Sequence, residues 1–239
     1  MSVIPRPFSP DASAAAPGRP LRVLVTGFQP FGGSPVNPSA ELVARLADQG
    51  APGCEVRAMV LPVVGGTAAG SARAMLDVAL DALRPDAVVM FGEAHVRGEI
   101  SIERVAVNLR DYSIPDNVGG LAHDEPVVPG APDALFTALP VRHMMEAALM
   151  AGVPCGLSMT AGTFLCNEVM FHVLERRART GEPAFAGFVH VPQLPVQAVE
   201  RPVGAAAMPL PVMERGARSA LAGLAAERTR QAERRLELT

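Results

Sequence analysis

The sequence predicts an α/β fold, a single-domain α/β/α sandwich built on a mostly parallel, twisted sheet. Three observations carry that expectation. Short apolar runs alternate with amphipathic, helix-length segments from Leu21 to Leu236. Several of the runs are apolar throughout rather than at every second position, as in strands buried on both faces. Finally, 239 residues of which 49% are hydrophobic and 19% charged can fill one large core.

The elements follow in order. Residues 1–20, rich in Pro, Ala and Ser and without a helical or strand period, are expected to form a disordered N-terminal extension, leaving 21–239 as the single α/β/α domain. Residues 21–26 read as a buried strand, and Asn37-Pro38-Ser39 as an N-cap and proline opening a helix to about 47. A second strand at 55–61, a helix at 67–83 and an apolar strand at 86–91 come next. The β-branched stretch 100–108 reads as a strand. Residues 111–132 are Pro-, Gly- and Asp-rich with no period, and so long an irregular connection inside a domain usually serves a function. Regularity returns with a helix at 141–151, a strand at 153–159, a helix at 163–180, a strand at 185–191 and a final helix at 212–236. In such sheets ligands bind outside the carboxyl ends of the strands, here residues 26–31, 91–97, 159–166 and 189–193.

Composition excludes several functions. A net charge of -3 without a Lys/Arg cluster interleaved with aromatics gives no footprint for nucleic acid. No apolar run reaches the 18 or more residues of a membrane span, and the N-terminus lacks a signal-like apolar segment. Cys54, Cys155 and Cys166 form no C-x-x-C pair and are odd in number, which suits a reducing, cytoplasmic setting better than a disulfide scaffold.

Chemistry is expected around Cys166. In Thr160-Ala161-Gly162-Thr163-Phe164-Leu165-Cys166-Asn167 it falls in the first turn of an amphipathic helix after a Gly-containing bend. Unpaired N–H groups and the helix dipole there favour a thiolate with a lowered pKa and offer donors to an oxyanion. A nucleophilic cysteine needs a base. His172 lies six residues along the same helix and points elsewhere, His143 belongs to a helix whose polar face can be solvated, and His95 and His123 fall in loops. His190 stands at the end of an apolar strand on the expected active edge, where a buried polar group needs a partner. For the third member two carboxylates compete: Glu103, in an apolar strand where it could equally pair with Arg97 or Arg104, and Glu93, directly after the third strand. Phe28 and Phe31 at the end of the first strand suggest a small apolar pocket. Glu93, His95 and Glu99 match no metal-ligand spacing, and Gly27, Gly32 and Gly33 complete no nucleotide-binding motif, so no metal or cofactor is expected.

Four blocks, in order, resemble type I pyroglutamyl peptidases, also called pyrrolidone-carboxylate peptidases. They are Val25-Thr26-Gly27-Phe28-Gln29-Pro30-Phe31-Gly32-Gly33 with Val36-Asn37-Pro38-Ser39; Ile102-Glu103-Arg104-Val105-Ala106-Val107-Asn108 with Ile114-Pro115-Asp116-Asn117; the block ending Cys166-Asn167; and Gly187-Phe188-Val189-His190-Val191-Pro192. The resemblance spans about residues 21 to 195. It implies a cytoplasmic cysteine exopeptidase of α/β/α fold that removes an N-terminal pyroglutamyl residue from peptides, without cofactor and as a homo-oligomer, dimer or tetramer, commonly a homotetramer. It further implies Cys166 as nucleophile, His190 as base, Glu103 rather than Glu93 as orienting carboxylate, and a lactam pocket walled by Phe28, Phe31, Phe164 and Leu165. Two departures stand out. Ser113 occupies the position of a family arginine near the cysteine, and Gly92-Glu93-Ala94-His95-Val96-Arg97 stands where the family has G-Q-A-G-G-R, placing the Glu93 carboxylate beside the pocket. These leave two rival expectations: a hydrolase of another N-blocked or cyclic amide on the same triad, or a non-catalytic binding homologue.

Overall fold

The chain runs β1 (Leu21–Phe28), α1 (Pro38–Gln49), β2 (Cys54–Leu61), α2 (Ala72–Leu83), β3 (Ala87–Glu93), β4 (Ile100–Glu103), β5 (Val105–Val107), β6 (Ala134–Phe136), α3 (Val141–Met150), β7 (Cys155–Ser158), α4 (Leu165–Thr180), β8 (Phe185–Val191), α5 (Pro195–Ala198) and α6 (Leu210–Leu236). The order comes from a computed structural model that describes residues 4–9, 19–199 and 204–237. Local chemistry sets the helix starts. Asn37 caps α1 by accepting from the Ser39 N–H, with Pro38 in the first turn. Ser71 caps α2 through the Ala74 N–H, so that helix begins later than its apolar pattern at 67 suggests.

Six strands form one sheet in the order β2-β1-β3-β8-β4-β7, and β5 pairs with β6 in a small ribbon. From β2 to β8 the strands are parallel, whereas β4 runs antiparallel to β8 and β7 parallel to β4. The reversal follows from chain length. Only residues 94–99 separate β3 from β4, too few for the crossover that a parallel return requires. The sheet is therefore mostly parallel, as expected, but β7 points away from the edge where β1, β3 and β8 end, and residues 159–164 bring the chain back to it. The single strand expected over 100–108 is broken at Arg104, whose carbonyl accepts from the Thr137 N–H.

The two faces carry separate core layers. On one, Leu42, Leu46, Met144, Met213, Leu221 and Leu224 from α1, α3 and α6 cover the sheet. On the other, Leu76, Leu80, Met170, Phe171 and Leu174 from α2 and α4 do so. Residues 4–9 correct the expectation of a disordered extension. Phe8 is only 7% exposed and joins the second layer, with the guanidinium carbons of Arg22 and Arg57 at 5.7 and 5.3 Å from its ring centroid. Beside it Ser9 donates to Glu55 Oε1 from its N–H at 3.0 Å and its hydroxyl at 3.1 Å. The rest of that segment, residues 1–3 and 10–18, lies outside the described residues. Among the described residues no helix is long and apolar enough to cross a membrane.

Candidate active site

Cys166 is the second residue of α4, after the N-cap Phe164. The turn before it requires Gly162, whose φ of 77° lies in the left-handed region and whose N–H donates to Thr160 Oγ1. The thiol reaches the sheet at a second glycine. A Cβ built on Gly92 would lie 2.9 Å from Cys166 Sγ, so only a residue without one lets the thiol approach β3 here. Gly92 pairs in register with His190 on β8. In a parallel ladder paired residues face the same side about 4.8 Å apart, which sets the thiol next to the imidazole.

The reversed strand supplies the third group. Ser101 of β4 lies opposite His190, so Glu103, two residues on, shares its face as a diagonal neighbour. His190 Nδ1 lies 2.7 Å from Glu103 Oε1, and both side chains are buried. A carboxylate only accepts, so the bond fixes the proton on Nδ1 and leaves the Nε2 lone pair free as an acceptor. The same Oε1 accepts from Arg97 Nη1 at 2.6 Å. Both alternatives weighed for Glu103 are thus realised together, with Arg97 rather than Arg104 as the cation.

Burial governs protonation. It pushes the Cys166 thiol up to about 12, reinforced by the Glu103 carboxylate and only partly offset by Cys166's own N–H and the Arg97 cation. The expected lowering by the helix terminus is therefore overturned, because the thiol is withdrawn from water. Burial likewise lowers His190, outweighing the Glu103 carboxylate, and Arg97 lowers it further. At rest the pair is a neutral thiol and a neutral imidazole.

Beside Cys166 lies a narrow pocket lined by Phe28, Phe31, Val63, Phe164, Leu165 and Glu93 together with Asn37 and Cys166 itself. Phe31 lies tilted against Phe164 with ring centroids 6.2 Å apart, and Tyr112 meets Phe164 edge-on at 4.8 Å. Glu93 stands in this wall and accepts from Gln197 Nε2 at 3.1 Å; the partner of His190 is Glu103. Pattern reading missed three contributors. Asn37 was legible only as a helix cap, and its Nδ2 donates to Gln29 O. Val63 and Tyr112 carry no local signal. Ser113 is exposed, directly after the Asp111–Tyr112 segment that bonds Thr163 through Asp111 N and Asp111 O.

The other histidines are placed away from the thiol's partners. His172 bonds Asp77 at 2.9 Å, His143 and His123 pair with Glu227 and Asp111, and His95 is exposed. Cys54, Cys155 and Cys166 are free thiols. Among the described residues no group of three or more His, Cys, Asp or Glu side chains is arranged to hold a metal ion.

A family model described as pyroglutamyl peptidase matches residues 21–227. A pyrrolidone-carboxylate peptidase of Gloeobacter violaceus is 46% identical over 207 residues, 87% of this chain and 98% of the relative. One from Escherichia fergusonii is 43% identical over 83% of this chain and 90% of its own. Among solved structures, pyrrolidone carboxyl peptidase of Thermococcus litoralis superposes with a TM-score of 0.83 at 33% identity, covering 88% of this chain and 96% of that one. Pyroglutamyl peptidase I of Bacillus amyloliquefaciens gives 0.80 at 34%, covering 86% and 97%.

Proposed function

The chain belongs to the pyroglutamyl peptidase family, and from that premise we propose that Cys166, His190 and Glu103 remove the N-terminal pyroglutamyl residue of peptides through a thioester. The observation that carries the assignment of roles is the bond from His190 Nδ1 to Glu103 Oε1, which leaves the Nε2 lone pair free to serve as the base.

Attack couples two transfers. As Cys166 Sγ bonds to the pyroglutamyl carbonyl carbon, its proton passes to His190 Nε2, and the imidazolium formed is stabilised by the Glu103 carboxylate. The carbonyl oxygen gains the negative charge, and N–H groups of the first turn of α4, which have no acceptor within the helix, are its donors. His190 then gives its proton to the leaving amine as the C–N bond breaks. Water, deprotonated by His190, hydrolyses the thioester, releasing pyroglutamate and restoring the thiol. The lactam lacks a charged amine, and walls of Phe28, Phe31, Phe164 and Leu165 suit it; Glu93 and Asn37 add polar positions at the same wall.

Residues 21–239 are read as one peptidase unit, with residues 1–20 as an extension outside the family match, acting in the cytoplasm as a homodimer or homotetramer. Cys166→Ala is expected to abolish release of a fluorogenic pyroglutamyl amide while leaving the thermal midpoint nearly unchanged. Turnover by that variant would overturn the assignment. A panel of other acyl amides tests the rival hydrolase reading raised by Ser113 and Glu93.

A further inference from the structure

We propose that Arg97 is a positioning residue for the catalytic pair, clamping the Glu103 carboxylate against His190 Nδ1 and tying that clamp to the loop that leads into the cysteine helix. The inference rests on the reading of Cys166, His190 and Glu103 given above.

Glu103 Oε1 accepts from both His190 Nδ1 at 2.7 Å and Arg97 Nη1 at 2.6 Å, so both lone pairs of one oxygen are used. Glu103 Oε2 is buried and has no hydrogen-bond partner among the described residues. Nothing on Oε2 therefore resists rotation of the carboxylate, and the second donor on Oε1 does. The other end of the guanidinium closes the link, since Arg97 Nη2 donates to Thr160 O at 3.0 Å, six residues before Cys166. One planar fork thus fixes the base and the approach to the nucleophile together, which a single-point ammonium does not reproduce.

Three charged groups bear on the imidazole and thiol: Glu103 from β4 and Arg97 from the connection 94–99 act on both, and Glu93 from β3 acts on the thiol. Arg97 is the cation of that set. Its charge opposes protonation of His190, so removing it raises the pH at which the imidazole titrates. The outer side of the clamp is open. Arg97 keeps 22% side-chain exposure and lines an open groove with Glu99, Ser101, Leu157 and Ser158.

The test uses the full chain with Arg97→Ala, Arg97→Gln and Arg97→Lys. Steady-state turnover of a pyroglutamyl reporter amide is measured against pH, and His190 is titrated by NMR, its signal assigned from its loss in His190→Asn. Arg97→Ala and Arg97→Gln should lower kcat about 100-fold with KM within about twofold, the loss expected when a reacting group is slightly misplaced. Their acid limb and the His190 titration should both move to higher pH. Millimolar guanidinium, entering through the groove, should restore part of the kcat of Arg97→Ala. Arg97→Lys should keep the wild-type titration and recover only part of kcat. Wild-type kcat with an unmoved titration in a folded Arg97→Gln would overturn the clamp, as would a kcat loss without any shift or rescue. If Arg97→Ala does not fold, Arg97→Gln and Arg97→Lys decide. A wild-type chain that fails to turn over the reporter defeats the functional reading instead, and the His190 titration still decides the clamp.

Discussion

With its thiol pushed up to about 12 by burial and by the Glu103 carboxylate, Cys166 carries its proton at neutral pH, and in the proposed mechanism the thiolate forms only as His190 accepts that proton. The pH profile follows. As the proposed base His190 must be neutral, and its folded value is lowered from 6.5 by burial, so the acid limb of kcat/KM should fall below pH 6.5. The thiol gives no alkaline loss short of its own raised value. Glu103→Gln should lower kcat roughly 1,000-fold, since an amide no longer favours the imidazolium or enforces the tautomer, and steady-state kinetics read this directly. At this scale the placement of Cys166 and His190 was legible, because a thiol at a helix start and a lone histidine ending an apolar strand are local patterns. The choice of Glu103 over Glu93 was not legible from spacing, since it depends on which strand lies beside His190 and in which direction. The thiol's protonation was equally hidden: a helix terminus is visible in sequence, its degree of dehydration is not.

Among the elements, α4 is fastened to the β5 segment through one buried side chain. Asn167 Oδ1 accepts from the Val107 N–H at 2.8 Å, and its Nδ2 donates to Val107 O at 2.8 Å and Leu109 O at 2.9 Å, fastening the cysteine helix to β5. Asn167→Ala leaves three backbone groups without that partner, and denaturant unfolding should show a loss of about 3 kcal/mol. A loss below about 1 kcal/mol would mean that water or a shifted backbone replaces the amide. The strands and helices themselves were readable with errors mostly at their ends, because apolar runs and caps are local. Strand direction was not read at β4 and β7. The six-residue connection before β4 contains the answer, but only once β8 is known to lie between β3 and β4. β6 and α5, three and four residues long, are too short to show a period.

At the scale of the molecule, the first residues are part of the packing although nothing in their composition announces it. Phe8 reaches the α2/α4 core layer, and its docking depends on Arg22, Arg57 and Glu55, none of which is adjacent in sequence. Phe8→Ala should cost about 2 kcal/mol in thermal or denaturant unfolding and leave turnover unchanged, because a terminal segment can release locally. An unchanged midpoint would show that residues 4–9 contribute no net stability. The reversed strand has a further consequence for how the chain acquires competence. Glu103 and His190 are 87 positions apart and meet across the antiparallel seam between β4 and β8. A slip of one residue there would turn Glu103 to the opposite face of the sheet. Enzymatic competence during refolding is thus a reporter of that seam, and it should return after the helical signal, as a late, long-range closure rather than with the local collapse of either half.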